Sequence, residues 1–460
     1  MGNKKNAWLK FDETKKEEIF SFCEGYKKYI SDCKTERESI KEAISLAESK
    51  GYRDLKNVIS AGKSLKAGDK VYYNNMDKSL ALFLIGSESI ESGMRIIGSH
   101  VDSPRLDLKP NPLYEDSELS LMETHYYGGV KKYQWVTIPL ALHGVVVKKD
   151  GTKIDVVVGE EETDPVVMVS DLLVHLASEQ QQKKATEVIA GEDLNILVGS
   201  MPLEGEEKEA VKANILKLLK EKYDFEEEDF MSAEIEIVPA GKARDLGLDR
   251  SMVAGYGHDD RICAYTSLLA LLETESTKKT SVVLLVDKEE VGSIGATGMQ
   301  SRFFENAVAE LMDRVGEYSE LKLRRALANS KMLSSDVTAA FDPNYAGAYE
   351  KKNSAFFGKG LAFAKYTGAR GKSGCNDANA EFVAWLRNVM DENDVAYQMA
   401  ELGKVDQGGG GTIAYILAEY GMEVIDCGVA LQNMHAPWEV ASKVDIFETM
   451  RGYKAFLMAE

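Results

Sequence analysis

Thiol chemistry has little to work with in this sequence. Its 460 residues contain five cysteines, Cys23, Cys33, Cys263, Cys375 and Cys427. The number is odd, the spacing wide, and there is no C-x-x-C pair, which argues against both a disulfide framework and a thiolate zinc site and suits a reducing compartment. Positive charge is also short: 56 Lys and Arg face 75 Asp and Glu, for a formal charge of -19. A surface of that sign repels phosphates, so nucleic acid and anionic membranes are poor partners. No apolar run approaches the ~20 residues that span a bilayer. The opening MGNKKNAWLKF lacks the apolar core of a secretory leader, and Asn6 stands where a myristoylation motif needs Ser or Thr. A cytoplasmic location is therefore expected. No internal repeat is visible, and low complexity is confined to the four glycines at 408–411.

What is present has ordinary globular composition, 44% hydrophobic and 28% charged, over a length that suggests two or three domains. Residues 14–50 alternate charged and apolar side chains at helical spacing, with a break near Ser31 and Asp32, and read as amphipathic helices. Short apolar runs then recur, each ending in polar or acidic residues: 94–97 before GSHVD, 281–286 before DKEE, 422–425 before DCG. Runs of this kind suit strands buried on both faces of a parallel sheet, where ligands gather beyond the carboxyl ends.

Between about 106 and 247 the texture changes. ALHGVVV and KIDVVV flank an Asp150-Gly151 turn as a hairpin, residues 205–229 form an acidic helical stretch, and SAEIEIVPA reads as a returning strand. VSDLLVHLASEQQQKK predicts a helix opened at Ser170 or Asp171 and carrying Leu172, Leu173, His175 and Leu176. This region is expected to be a domain inserted into a discontinuous one formed by 1–105 and 248–460.

Chemistry concentrates where the buried runs end. GSHVDS places His100 and Asp102 two residues apart at a strand end, so that the second can orient the first. Glu289 and Glu290 follow SVVLLVDK, where adjacent carboxylates repel unless a cation or a shared proton relieves them, and VGSIGATG holds them close to the backbone. Asp259 and Asp260 precede a strongly apolar helix, for which either is also a plausible N-cap. Asp336 follows a short apolar piece, and His435 lies in a loop before Pro437. Singly, each reads equally well as a turn, cap or solvated loop residue. Together, two imidazoles, two terminal carboxylates and one able to bridge match a pair of divalent ions, with a further carboxylate for a general base.

At these segments the sequence resembles the M18 metallopeptidases, the family of aspartyl aminopeptidase and vacuolar aminopeptidase I. The resemblance runs from GSHVDSPRLDLKP through DKEEVGS and SSDVTAAFDPNY to MHAPWE. It implies an α/β fold with a mostly parallel central sheet flanked by helices, of the zinc-peptidase kind, and a β-rich inserted dimerisation domain. It implies a metallo-aminopeptidase with two divalent ions per subunit, zinc first and manganese or cobalt as alternatives, in a homo-oligomer built from dimers toward a dodecamer. His100 and Asp336 would hold one ion, Glu290 and His435 the other, Asp259 would bridge them, Glu289 would be the base, and Asp102 would orient His100. His175 would reach a neighbouring subunit's site, as oxyanion donor or as ligand, with ordinary packing as its plain alternative. Lys365, in GKGLAFAKYTGARGK, matches a lysine that can face an acidic first residue, or is a surface lysine.

The departures from the family concern specificity. Asp260 stands where Asn is usual, Ala339 and Asp342 replace histidines, and Gln134-Trp135-Val136-Thr137 replaces a Trp-x-Asp-Arg pattern. The same cage also serves deblocking peptidases, carboxypeptidases and deacylases, and a storage or assembly protein could keep it without turnover. Glu289 speaks against that last class.

Overall fold

The structure, a computed structural model, describes residues 5–460, which divide into two compact units. The first contains the chain up to Asp102, Ala243–Met434 and Glu439–Glu460, and the second Ser103–Lys242 with the short return His435–Trp438. The second unit thus begins three residues before the expected 106 and gives way five before 247.

The first unit is α/β. Its nine-stranded sheet runs Arg53–Asp54, Lys70–Asn75, Ser79–Leu84, Thr280–Val286, Met94–His100, Lys331–Ser335, Glu423–Gly428, Leu361–Ala364, Tyr397–Met399. It is mixed, with five of eight pairings parallel. The three apolar runs identified in the sequence, with Lys331–Ser335, are its four middle strands, all mutually parallel. Every residue of Met94–His100 and Thr280–Val286 is buried. Alternation explains how one run serves two faces. Ile97, Leu285, Leu333 and Ile425 enter the core with Leu268 and Phe447 of the helices His258–Leu272 and Lys443–Met458. Their neighbours Ile96, Leu284, Met332 and Val424 enter the opposite core with Phe304 and Leu327 of Phe303–Arg314 and Glu320–Ala328. Truncating one of these leucines to Ala would cost about 2–5 kcal/mol.

The N-terminal helices are set by their caps. Asp12 accepts the Lys15 N–H at 2.9 Å to open Glu13–Asp32, and Thr35 with Glu38 forms a capping box at Glu36–Ser49. A smaller five-stranded sheet, Arg244–Leu246, Met252–Gly255, Glu439–Ser442, Ala430–Gln432, Thr338–Ala339, completes the unit and carries the backbone just before Asp259 and just beyond Asp336.

The second unit is built on seven strands, all antiparallel: Lys153–Val158, Leu140–Val147, Ala233–Pro239, Arg105–Asp116, Leu119–Tyr127, Ile196–Gly199 and Met168–Val169. The expected hairpin is its first pair, with Val147 opposite Lys153. Gly144 must be glycine, since a Cβ there would lie 1.9 Å from the Glu234 carbonyl oxygen. The acidic stretch forms the helix Ala210–Tyr223.

The helix expected around His175 does not form. Residues 174–179 are turns followed by a single 3-10 turn, Gln180–Gln182. Leu172, Leu173 and Leu176 are 45%, 55% and 66% exposed. A short helix depends on burying its apolar face, and this one has no such face to bury in its own unit. The Asp171 carboxylate offers the backbone an alternative, accepting the Leu172 N–H at 2.8 Å and the Gln180 amide at 2.9 Å. Among the described residues no helix is long and apolar enough to cross a membrane.

Candidate metal centre

Three adjacent parallel strands deliver the first groups. His100 closes Met94–His100, directly opposite Val286, the last residue of Thr280–Val286. Glu289 and Glu290 follow in a 3-10 turn, Glu289–Val291, and Asp336 comes immediately after Lys331–Ser335. The fourth group enters from a bend. Gly257, at φ 75°, leads into the helix His258–Leu272, but Asp259 (φ -82°, ψ 104°) and Asp260 (φ -120°, ψ 26°) depart from helical geometry, and the peptide between them is cis. The regular helix therefore begins only beyond Asp260. The Asp259 N–H instead donates to Glu439 Oε2 at 3.1 Å.

His100 fixes the chemistry of the cluster. Its Nδ1 lies 2.9 Å from the Asp102 carbonyl oxygen, which can only accept, so Nδ1 carries a proton and Nε2 faces the other way. Facing Nε2 are Asp259 Oδ1 at 3.2 Å, Asp336 Oδ1 at 3.7 Å and Glu289 Oε2 at 3.9 Å. His100, Asp260 and Asp336 offer ligand atoms all within 4.8 Å of one another, as do His100, Glu289 and Glu290.

Asp102 does more than the expected orientation of His100. Its carboxylate lies 3.3 Å from Nδ1 and also accepts the Glu289 N–H on one oxygen and the Glu290 N–H on the other, each at 3.2 Å. One buried side chain therefore holds the ring and the turn of both glutamates.

A lone pair on Nε2 pointing at three carboxylates is repulsive unless a proton or a cation lies among them. Burial opposes charging His100, but Asp102, Asp259 and Asp336 outweigh it and hold the imidazole well above its usual range. Burial, against the pull of His100 and with the push of Asp336, Asp102 and Asp259, raises the Glu289 carboxyl to about 8. Burial likewise raises Asp336, and raises Asp260 well above the carboxylate range with Asp336 adding to the effect. So many carboxylates around one imidazole lack positive charge, and the donor set of hard oxygens with a borderline nitrogen suits divalent ions of the zinc, manganese or cobalt type. Behind Asp259, burial pushes the His258 imidazole down to about 3 and keeps it neutral.

His435 belongs to the second unit, where its Nδ1 is 2.9 Å from the Gly129 carbonyl oxygen. The approach is close: a Cβ at 129 would stand 3.2 Å from Nδ1, a contact the ring would have to yield to by a few tenths of an ångström. As at His100, the carbonyl assigns the proton to Nδ1 and turns Nε2 toward ligation. His175 is exposed, on the turns described above. Lys365 pairs with Asp377 at 3.0 Å, and Lys372 reaches the same carboxylate at 2.8 Å. Asp342 accepts the Asn344 N–H at 2.8 Å and opens a 3-10 helix. Sequence reasoning passed over Glu439 and Asp426. The latter is buried, accepts the Thr412 hydroxyl at 2.6 Å and is pushed up to about 7, chiefly by burial. The signal for Asp426 was its place as the acid of DCG, directly after the apolar run 422–425.

Comparison with known proteins places these residues in context. The profile of one protein family, described as aminopeptidase I zinc metalloprotease (M18), matches residues 29–457. A probable M18 family aminopeptidase 1 of Clostridium acetobutylicum is 66% identical, with 98% of each chain covered. The crystal structure of aminopeptidase I from Clostridium acetobutylicum has a TM-score of 0.93 at 62% identity, and that of an M18 family aminopeptidase from Thermotoga maritima 0.95 at 45%, each covering 99% of both chains.

Proposed function

This chain belongs to the aminopeptidase I zinc metalloprotease (M18) family, and from that premise we propose that it removes single residues from free peptide N-termini using two divalent ions, zinc first, held by His100, Asp259, Glu290, Asp336 and His435. It is a metal-dependent aminopeptidase; the ion count, the ligand set and the roles below are our reading. The observation that carries it is the convergence of Asp259, Asp336 and Glu289 oxygens on His100 Nε2. His435 is assigned as the fifth ligand on sequence grounds, with the proton position on its ring in agreement.

When bound, the ions supply a water whose pKa falls from about 15.7 toward 7, and a Lewis acid for the carbonyl. Glu289 would take the proton of a water attacking the first peptide carbonyl and return it to the leaving amine. Cations beside Glu289 favour its ionised form, the one a base requires. Asp102 keeps His100 in one tautomer and sets the turn that aims Glu289. His175 of the partner subunit supplies a donor to the developing oxyanion, which accounts for an exposed histidine among exposed leucines. Lys365 faces the side chain of the first residue when that residue is acidic, and there competes with Asp377.

The inserted unit is assigned to dimerisation, in a cytoplasmic homo-oligomer. A yeast structure of the same fold, with a TM-score of 0.77 at 20% identity, is of a dodecamer. Metal analysis of the purified protein beside a panel of free and N-acetylated peptides tests the reading. Two ions per chain and cleavage only of free N-termini are expected, and efficient cleavage of acetylated peptides would turn the assignment to a deblocking peptidase.

A further inference from the structure

Asp259 stands where the helix ladder does not hold it. Its φ and ψ lie outside helical values, as do those of Asp260, so regular hydrogen bonding does not set the direction of its side chain. Two neighbours restrain it instead. Glu439 accepts its N–H, and the preceding residue, His258, is fully buried with its Nδ1 2.5 Å from the Tyr26 hydroxyl. The Tyr26 and His258 rings also stack, with centroids 5.6 Å apart and planes 28° from parallel.

Tyr26 is itself fully buried. It lies on the buried face of Glu13–Asp32 with Ile19, Cys23, Tyr29 and Ile30, at spacings of three and four, and its ring centroid is 5.5 Å from that of Tyr265. A second tie lies just beyond that helix: Arg261, fully buried, donates to the carbonyl of Lys34, in the link to Glu36–Ser49, at 2.9 Å and to the Tyr256 carbonyl at 3.2 Å. The N-terminal helix and the link after it are thus tied to the two sides of the irregular segment at Asp259.

We propose that Tyr26 is a positioning residue for Asp259, acting through the His258 ring, so that the N-terminal helix helps set metal affinity. The proposal rests on the reading that Asp259 binds metal. A buried imidazole deprived of the hydroxyl has an unmet polar atom and freedom to turn, and the adjoining carboxylate moves with it.

The test is the affinity of metal-depleted protein for zinc, by competition with a chelator well below the unfolding temperature, in Tyr26→Phe, His258→Gln and the double variant. Tyr26→Phe should bind zinc about 10-fold more weakly, at the low end of the loss seen when a ligand's support is removed. In the His258→Gln background the tyrosine change should add nothing. Wild-type affinity in Tyr26→Phe overturns the proposal whatever happens to stability, since a purely structural role moves the unfolding temperature and leaves zinc affinity of the folded protein alone. Additive losses in the double variant overturn the route through His258. If Tyr26→Phe yields no folded protein, His258→Gln alone decides, and wild-type affinity there is fatal. Asp259→Asn is the control: undiminished affinity in it overturns the metal reading itself, whereas weakened binding there beside an unaffected Tyr26→Phe overturns only the positioning role.

Discussion

Asp102 and Glu290 are joined through the main chain, the Glu290 N–H donating to Asp102 Oδ2 at 3.2 Å while Asp102 Oδ1 takes the N–H of Glu289. An asparagine in place of Asp102 turns an NH2 toward one of those donors and loses that bond. Asp102→Asn should therefore lower zinc affinity by about 10- to 100-fold and kcat with it. Chelator competition and steady-state kinetics on one preparation check this; unchanged affinity and rate would remove Asp102 from the support of the site.

Glu289→Gln keeps the shape and the main-chain bond to Asp102 but cannot accept a proton. It should retain its metal and lose about 10²- to 10⁴-fold in kcat. Metal content measured beside peptide hydrolysis decides, and full activity with bound metal would assign the base elsewhere.

His175→Ala should fold and bind metal as the wild type does, because the side chain is exposed in its own subunit, while losing about 10²- to 10³-fold in rate, the range for deletion of an oxyanion donor. Mixed with Glu289→Gln under subunit exchange, it should recover activity at sites that combine one chain's Glu289 with the partner subunit's His175. Demonstrated exchange without recovery would exclude action between subunits.

Asp377 neutralises Lys365, with Lys372 sharing the same carboxylate. Asp377→Asn should release Lys365 and raise kcat/KM for peptides with an acidic first residue relative to neutral ones, and Lys365→Ala should abolish the difference. Equal effects on both substrate classes would return Lys365 to the surface.

Stability against acid should depend on Asp245. Burial alone would raise its carboxyl, but hydrogen bonds from Lys27 and Arg250, at 2.6 and 2.7 Å, and the ion pair with Lys443 at 2.7 Å hold it well below the usual range. A carboxyl depressed in the folded state contributes stability that is complete above its unfolded value, about 3.9, and is lost as pH falls toward the folded one. Asp245→Asn leaves the fully buried Lys443 without its counter-ion and should cost about 3–5 kcal/mol at neutral pH. The variant's stability should also vary less below pH 4. Urea melts from pH 2 to 7 test both; an unaltered acid limb would mean that other carboxylates govern it.

The strand ends were legible because an apolar run followed by His100 or Glu289 carries its own punctuation. Three such runs, with the short apolar piece before Asp336, became the middle of the sheet, and the hairpin at Asp150-Gly151 formed as its turn chemistry requires. What could not be read depends on partners distant in sequence. The bonds from Asp102 to Glu289 and Glu290 join strands that only the sheet brings together, and Glu439 meets Asp259 across a similar gap. Asp259 and Asp260 were equally good helix caps, and the break in backbone geometry at both is not written in their spacing. The residues around His175 misled for another reason: their leucines have helical spacing, but within one subunit nothing covers them, and the period of a pattern does not say where its counterpart lies.

The four residues His435–Trp438 complicate any attempt at modular engineering of this chain. A truncated gene that splices Asp102 to Ala243 would seem to excise one autonomous module and keep the other whole. It would also delete Gly129, the acceptor that determines which nitrogen of His435 carries the proton. The surviving histidine would be free to adopt either tautomer, so a minimal catalytic fragment would need a substitute acceptor built in, and shortening the insert should spare the strand ends around 127–129 rather than begin from them.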